Sequence, residues 1–105
     1  MTPDYFIFVP AYNVAATLVG VLERIPPAVM ERAEVLVIDD GSKDDTRGAY
    51  ENFVGEAHLQ YMRFEFNRGY GAVVKKGFSE GLRSGAKYIA CLHGDGQYPA
   101  EQLDD

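Results

Sequence analysis

The sequence predicts an α/β protein with a mostly parallel β-sheet that is built from βαβ units. Runs of continuous apolar residues, typical of strands buried on both faces, recur along the 105 residues. Segments with apolar residues at helical spacing lie between these runs. Since strands that alternate with helices of this length form parallel sheets, the order of the elements predicts the fold class.

The first half of the chain contains two predicted strands and two predicted helices. Residues 5–9 (YFIFV) are apolar and rich in strand formers, and Pro10 ends them. Residues 14–25 have a helical apolar stripe that stops at two prolines. Residues 35–38 (VLVI) repeat the strand pattern, and an aspartate of the pair 44–45 then caps a helix that continues through Val54 and ends at Gly55.

The second half repeats this alternation. Residues 59–66 are rich in strand formers, residues 67–71 are a glycine-rich loop, and residues 72–83 have a helical apolar stripe. Residues 87–92 are the fourth predicted strand. Residues 98–103 resemble the start of a helix that has no body, so residues 1–105 are interpreted as the truncated N-terminal part of a larger domain.

Composition and charge exclude several classes of protein. The net charge of −6 argues against binding nucleic acid through phosphate neutralisation. No apolar run approaches the roughly 20 residues of a membrane span, so we expect no membrane segment in this chain. The single cysteine, Cys91, allows no disulfide within the chain, which favours a cytoplasmic protein.

The residues that leave the four strands are the candidate site, because ligands of parallel sheets bind outside the carboxyl ends of the strands. They are Pro10 and Tyr12 after the first strand, Asp39 and Asp40 after the second, the glycine-rich loop 67–71 after the third, and His93, Asp95 and Gln97 after the fourth. Taken singly, each is also typical of a plain turn or a helix cap. Residues 92–98 (LHGDGQY) could thus be a tight turn or half of a metal site.

Together, these segments resemble the family-2 glycosyltransferases. Four motifs carry the resemblance in order and spacing: VPAYN at 9–13, VLVIDDGSKDDT at 35–46, NRGYGAVVKKGF at 67–78 and HGDGQYPAEQL at 93–103. The resemblance covers residues 5–103 and is strongest to the subgroup like the dolichyl- and polyprenyl-phosphate sugar synthases. It implies a GT-A fold, of which this chain is the nucleotide-binding half, and sugar transfer from a nucleotide-sugar donor with inversion at the anomeric carbon.

The resemblance also implies roles for individual residues. Pro10 and Tyr12 are expected to line the base pocket, and Asp40, with Asp39 beside it, to accept a hydrogen bond from a base N–H. Gly71, at the start of the third helix, is expected to lie near the donor, where the helix dipole favours an anion.

A metal site is implied at the fourth strand exit, where the family carries Asp-x-Asp, in some members followed by Gln. Asp95 is the expected ligand of Mg²⁺ or Mn²⁺, with Gln97 and His93 as further candidates. His93 stands where the family has its first acid, and the alternative is that its imidazole hydrogen-bonds a backbone group or a phosphate. Val14 replaces a glutamate that is common in the subgroup, so one donor contact is in question.

No catalytic base is assigned, because in this family it comes from the second half of the domain. We therefore expect the 105-residue chain alone to lack transferase activity. The resemblance implies a polyprenyl-phosphate acceptor, and hence action at the cytoplasmic face of a membrane by a longer protein. The alternative is a non-catalytic nucleotide- or metal-binding module, or an inactive fragment.

Overall fold

Four parallel strands form one sheet in a computed structural model that describes residues 2–53 and 58–94. The strand order is β3-β2-β1-β4. The strands are β1 (Tyr5–Ala11), β2 (Ala33–Asp39), β3 (Leu59–Arg63) and β4 (Tyr88–Cys91). The helices are α1 (Leu18–Glu23), α2 (Pro27–Met30), α3 (Thr46–Asn52) and α4 (Tyr70–Ser84). The predicted α/β class with a mostly parallel sheet is confirmed.

The sheet is covered on both faces, which explains the continuous apolar runs of its central strands. Ile7 and Val9 face the side where Leu22 of α1 lies, whereas Phe6 and Phe8 belong to the core cluster on the other side. That second cluster includes Val73 of α4. Because side chains alternate between the faces of a strand, residues 6–9 are all buried.

Strand β1 continues through Pro10 to Ala11, although the sequence predicted that Pro10 would end it. The N–H and carbonyl of a strand residue face the same neighbour, and the Pro10 carbonyl faces the β4 side, where it accepts from the N–H of Gly94 at 3.2 Å. The β1–β4 register stops at the pair of Phe8 and Cys91. The missing N–H of Pro10 therefore removes no ladder bond, and the strand can carry it.

Helix α1 begins at Leu18, four residues later than predicted. The preceding backbone is held instead by the loop after β2 and by the start of α3, since the N–H of Val14 donates to Thr46 Oγ1 and the N–H of Ala15 donates to Asp44 Oδ2. The sequence also missed α2, in which Pro27 occupies a first-turn position. Proline is favoured there because its fixed φ suits the helix and its missing N–H is not needed.

The connection from β3 to β4 reverses the direction in which strands are added. The chain moves outward from β1 through β2 to β3, then returns along α4 and adds β4 on the far side of β1. The order thus switches between β1 and β4, at whose carboxyl ends parallel α/β sheets form a ligand crevice. Of the helices within the described residues, none combines the length and apolar character that a membrane crossing requires.

Candidate functional site

A cleft of about 340 Å³ lies at the carboxyl ends of the strands, at the point where the strand order reverses. Its walls come from the exits of β1, β2 and β4 and from the start of α4. The lining residues are Pro10, Ala11, Tyr12, Val14, Asp40, Asn67, Gly69, Tyr70, Val73, His93 and Gly94. The cleft is therefore built from the same strand exits that the sequence singled out.

Asp40 joins the exit of β2 to the glycine-rich loop before α4. Its Oδ1 accepts from the N–H of Arg68 at 2.7 Å, and its Oδ2 accepts from the N–H of Gly69 at 3.0 Å. The residue is 4% exposed. Because both bonds run to an ionised acceptor in a buried position, they hold the loop and the start of α4 against the sheet edge.

Asp39 points away from the cleft into the sheet edge, and it is 0% exposed. Its Oδ1 accepts from the N–H of Ser42 at 2.8 Å, and its Oδ2 accepts from the hydroxyl of Tyr61. Burial and, second, this hydrogen bond raise the pKa of Tyr61 well above its ordinary value. The two adjacent aspartates thus have different surroundings: Asp40 lines the cleft, whereas Asp39 supports the loop beneath it.

Gly41 lets the β2 exit approach the glycine-rich loop closely. Its φ is +74°, which favours glycine, and a Cβ there would lie 2.7 Å from the backbone nitrogen of Asn67. Any residue with a Cβ at this position would push the loop after β2 away from the glycine-rich loop and would lengthen the bonds that Asp40 makes.

A second set of bonds ties the exit of β1 to the loop after β2. Asn13, at a φ of 54°, donates its N–H to Ser42 Oγ and accepts from the N–H of Lys43 at its Oδ1. The buried hydroxyl of Thr46 accepts from the N–H of Val14 and donates to Asp44 Oδ1. That hydroxyl, more than any other partner, lowers the pKa of Asp44. The segment carrying Tyr12 is therefore fixed beside Asp40.

The start of α4 presents the positive end of a helix dipole to the cleft. Gly69 is the N-cap and makes no side-chain capping bond, and both Gly69 and Tyr70 line the cleft. Gly71 lies in the first turn just outside the lining. Arg68 does not line the cleft, since its guanidinium lies 4.7 Å from the ring centroid of Phe64. The helix start, not this cation, offers the positive potential at this wall.

The opposite wall comes from the residues after β4. The hydroxyl of Tyr70 lies 3.2 Å from Nε2 of His93, and the two rings stack with centroids 5.5 Å apart. Gly94 passes close to β1, where a Cβ would lie 3.0 Å from the Pro10 carbonyl oxygen. Its carbonyl accepts from the hydroxyl of Thr17 at 2.7 Å. His93 is therefore held at the cleft by a side-chain partner and by the backbone of its neighbour.

The predicted metal ligands divide between described and undescribed parts of the chain. His93 lines the cleft, whereas Asp95 and Gln97 lie outside the described residues. Among residues 2–53 and 58–94, no group of three or more His, Cys, Asp or Glu side chains is arranged to hold a metal ion. The described residues alone therefore do not complete a metal site, and the roles of all three stay predictions.

Four of the predicted site residues line the cleft: Pro10, Tyr12, Asp40 and His93. Their roles in donor binding stay predictions, as do those of Asp39 and Gly71. The sequence missed the lining residue Val73, and it included Tyr70 only as a member of the loop 67–71, without a role of its own. Tyr70 could have been noticed, because an aromatic residue between two glycines at a helix start is unusual. Val73 could not, because it belongs to the apolar stripe of the predicted helix and its sequence context is that of a core residue.

The architecture is that of the GT-A glycosyltransferases: helices on both faces of a parallel sheet, with a cleft at the switch in strand order. A mannosyltransferase from Pyrobaculum calidifontis, solved in complex with GDP-Man and Mn²⁺, has the same fold, with a TM-score of 0.74 and 20% identity. The similarity covers 97% of this chain and 30% of that one. The chain belongs to glycosyl transferase family 2, whose model matches residues 6–105.

Two curated relatives are similar over most of the chain. A dolichyl-phosphate beta-glucosyltransferase from Dictyostelium discoideum is 30% identical over 101 residues, which cover 86% of this chain and 30% of the relative. An undecaprenyl-phosphate 4-deoxy-4-formamido-L-arabinose transferase from Pseudomonas syringae pv. syringae is 28% identical over 102 residues, covering 92% of this chain and 29% of the relative. The chain thus spans about 30% of the length of these relatives.

Proposed function

We propose that this chain binds a nucleotide-sugar donor in the cleft and serves as the donor-binding part of an inverting glycosyltransferase. The observation that carries the proposal is the convergence of the buried Asp40 carboxylate and the start of α4 on one cleft at the switch in strand order. Membership of glycosyl transferase family 2 supports the same reaction class.

The cleft offers suitable partners for the base and for the diphosphate of a nucleoside diphosphate. Tyr12 is 42% exposed beside Pro10, so its ring is available to the face of a base. Asp40 accepts two backbone bonds, and a carboxylate has about four acceptor positions, which leaves capacity for a base N–H. Gly71 and its neighbours in the first turn of α4 direct the positive helix end toward the diphosphate.

A divalent cation completes the proposed donor site. Asp95 is the proposed ligand, with Gln97 and His93 as further candidates, and Mn²⁺ or Mg²⁺ as the ion. Such an ion would offset the charge that develops on the departing nucleotide. The complex of the Pyrobaculum mannosyltransferase with GDP-Man and Mn²⁺ supports this part of the proposal.

The acceptor is proposed to be a polyprenyl phosphate, because two relatives are named for dolichyl-phosphate and undecaprenyl-phosphate substrates. Such an acceptor would require the active protein to work at a membrane face, which we propose to be the cytoplasmic one. No residue of this chain is assigned as the general base that takes the acceptor's proton. We therefore expect the 105-residue chain to bind a donor without turning it over.

Titration calorimetry with UDP and GDP, each with and without Mn²⁺, tests the proposal. Metal-dependent binding of either nucleotide supports a transferase donor site. Equal nucleotide affinity with and without Mn²⁺ favours the second candidate, a non-catalytic nucleotide-binding module. The specific argument for that candidate is that His93 stands where the family has its first acid. Absence of binding under all four conditions would contradict both.

The matched variants are His93→Ala in the cleft and His58→Ala at the opposite end of the sheet, just before β3. The proposal predicts weaker nucleotide binding for the first and unchanged binding for the second. Equal effects of the two changes would show that the nucleotide does not occupy this cleft.

A further inference from the structure

Tyr70 and His93 make two independent contacts across the cleft. The phenol oxygen lies 3.2 Å from Nε2 of the imidazole, and the rings stack at 5.5 Å with an angle of 19° between their planes. Tyr70 belongs to the first turn of α4, and His93 follows β4 directly. The pair therefore connects two walls that approach each other only because α4 carries the chain back across the sheet.

The hydrogen bond occupies Nε2 whichever group donates. If the phenol donates, the lone pair of Nε2 is its acceptor. If Nε2 carries the hydrogen and donates to the phenol, this nitrogen has no lone pair to offer. In both arrangements Nε2 cannot bind a cation or accept from a ligand while Tyr70 holds it.

We infer that Tyr70 is a positioning residue that sets the orientation in which the His93 imidazole acts in the cleft. This inference rests on the proposed donor site. With Nε2 committed to the phenol, the imidazole does not use this nitrogen toward the diphosphate or its cation. An orienting partner on the second nitrogen is the usual way in which a histidine is fixed in a functional site.

The stacked geometry allows the hydroxyl to be tested apart from the ring. Tyr70 is 55% exposed, so Tyr70→Phe leaves no buried cavity and retains the stacked ring. The matched control is Tyr88→Phe, which removes an exposed hydroxyl from a tyrosine that also stacks on another aromatic ring, that of Tyr5. The control residue begins β4 at the opposite end of that strand from the cleft.

The first readout needs no ligand. The chain has two histidines, so a long-range ¹H–¹⁵N spectrum of the imidazoles shows two sets of signals, and His58→Gln assigns them. Tyr70→Phe is expected to shift the Nε2 resonance of His93 and to leave His58 unchanged, whereas Tyr88→Phe shifts neither. An unchanged Nε2 resonance would overturn the inference, because the hydroxyl would then not be bonded to it.

The second readout is the affinity for UDP or GDP with Mn²⁺, measured in a double-mutant cycle. Tyr70→Phe is expected to weaken binding about tenfold, the lower end of the usual effect of removing such an orienting partner. In a His93→Ala background the same change is expected to have no effect, because a positioning residue acts only through the group it positions.

Two results would overturn the inference alone. One is wild-type nucleotide affinity in Tyr70→Phe. The other is a tenfold loss of affinity from Tyr70→Phe that is just as large in the His93→Ala background. If the wild-type chain binds no nucleotide at all, the proposed donor site fails and the inference falls with it. The failure of the inference and the failure of the proposed function are thus distinguished by the wild-type titration.

Discussion

Replacing Asp40 by asparagine is expected to destabilise the chain more than the same change at Asp39, although both side chains are buried. Asp40 faces two backbone donors, the N–H groups of Arg68 and Gly69. An asparagine has one carbonyl oxygen and one NH₂ group, so one donor would face another in either orientation of the amide. One charge-assisted bond is lost and a backbone N–H is left without its acceptor.

The magnitude follows from the bonds that are lost. A hydrogen bond to a charged group contributes about 1.5–3 kcal/mol, and the remaining bond weakens because its acceptor becomes neutral. We expect Asp40→Asn to lower the free energy of unfolding by about 3 kcal/mol.

Asp39→Asn has a different outcome because its partners can adapt. The carbonyl oxygen of the new amide keeps the N–H of Ser42, and the NH₂ group donates to the phenol oxygen of Tyr61, which can accept as well as donate. The charge assistance is lost, and the hydroxyl hydrogen of the half-buried Tyr61 must turn to another acceptor, at a total cost of about 1 kcal/mol. The two variants should therefore differ by about 2 kcal/mol, or on the order of 10 °C in melting temperature.

Urea unfolding followed by circular dichroism measures the difference, with m-values compared to ensure that the midpoints report stability. Asp45→Asn is the matched control, because Asp45 caps α3 by accepting from the N–H of Gly48 and asparagine caps equally well. The expected order of destabilisation is Asp40, then Asp39, then Asp45. If Asp39→Asn lowers the free energy of unfolding as much as Asp40→Asn or more, the two bonds from the Asp40 carboxylate to the N–H groups of Arg68 and Gly69 do not stabilise the fold as described.

Three further changes test other parts of the site. Thr46→Val removes the acceptor of the buried Val14 N–H and should lower the free energy of unfolding, measured in urea, by about 2 kcal/mol. Thr46→Ser keeps the hydroxyl and should lower it by less than half of that. Equal losses in the two variants would show that this hydrogen bond does not contribute. The pKa of Tyr61 is raised in the folded state, so the corresponding stabilisation is complete below the unfolded pKa near 10 and is lost as the pH rises above it. Wild-type stability should therefore fall more steeply than that of Tyr61→Phe above about pH 10; parallel pH profiles would refute this. Gly41→Ala combines a positive φ with a backbone clash and should cost about 3 kcal/mol, while Gly20→Ala, in the open on α1, should be neutral or stabilising; a tolerated alanine at Gly41 would mean that the two loops are not in contact.

The sequence predicted the strands and the edge of the sheet where the cleft lies, because both depend on local patterns. Residues 5–9 and 35–38 are apolar without interruption, which is sufficient to place two central strands. The order of elements then places the strand exits at one edge. Pro10, Tyr12, Asp40 and His93 line the cleft for this reason.

The sequence could not separate the two adjacent aspartates, because their partners are distant along the chain. Asp40 bonds the backbone 28 and 29 residues later, and Asp39 bonds a tyrosine 22 residues later. Such pairs depend on which strands are neighbours and on their register, and neither is contained in a local pattern. The late start of α1 has the same origin, since a loop about 30 residues away holds the backbone before it.

The pairing of Tyr70 with His93 is likewise a product of topology. The crossover along α4 brings the start of that helix beside His93, which follows β4 and lies 23 residues after Tyr70. Sequence reasoning placed His93 as a candidate metal ligand from its position in a motif. The structure adds that its Nε2 lies within hydrogen-bond distance of the Tyr70 hydroxyl, which restricts how this nitrogen can act.

The binding of a nucleotide with its cation at this cleft is tested most directly by paramagnetic broadening of the two histidine signals. His93 lines the cleft, and His58 lies at the opposite end of the sheet. Addition of UDP or GDP with Mn²⁺ is predicted to broaden the imidazole signals of His93 and to leave those of His58 sharp, with Mn²⁺ alone and the Mg²⁺ nucleotide as controls. Broadening of His58 to the same extent, or the absence of any nucleotide-dependent change at His93, would contradict the proposed donor site.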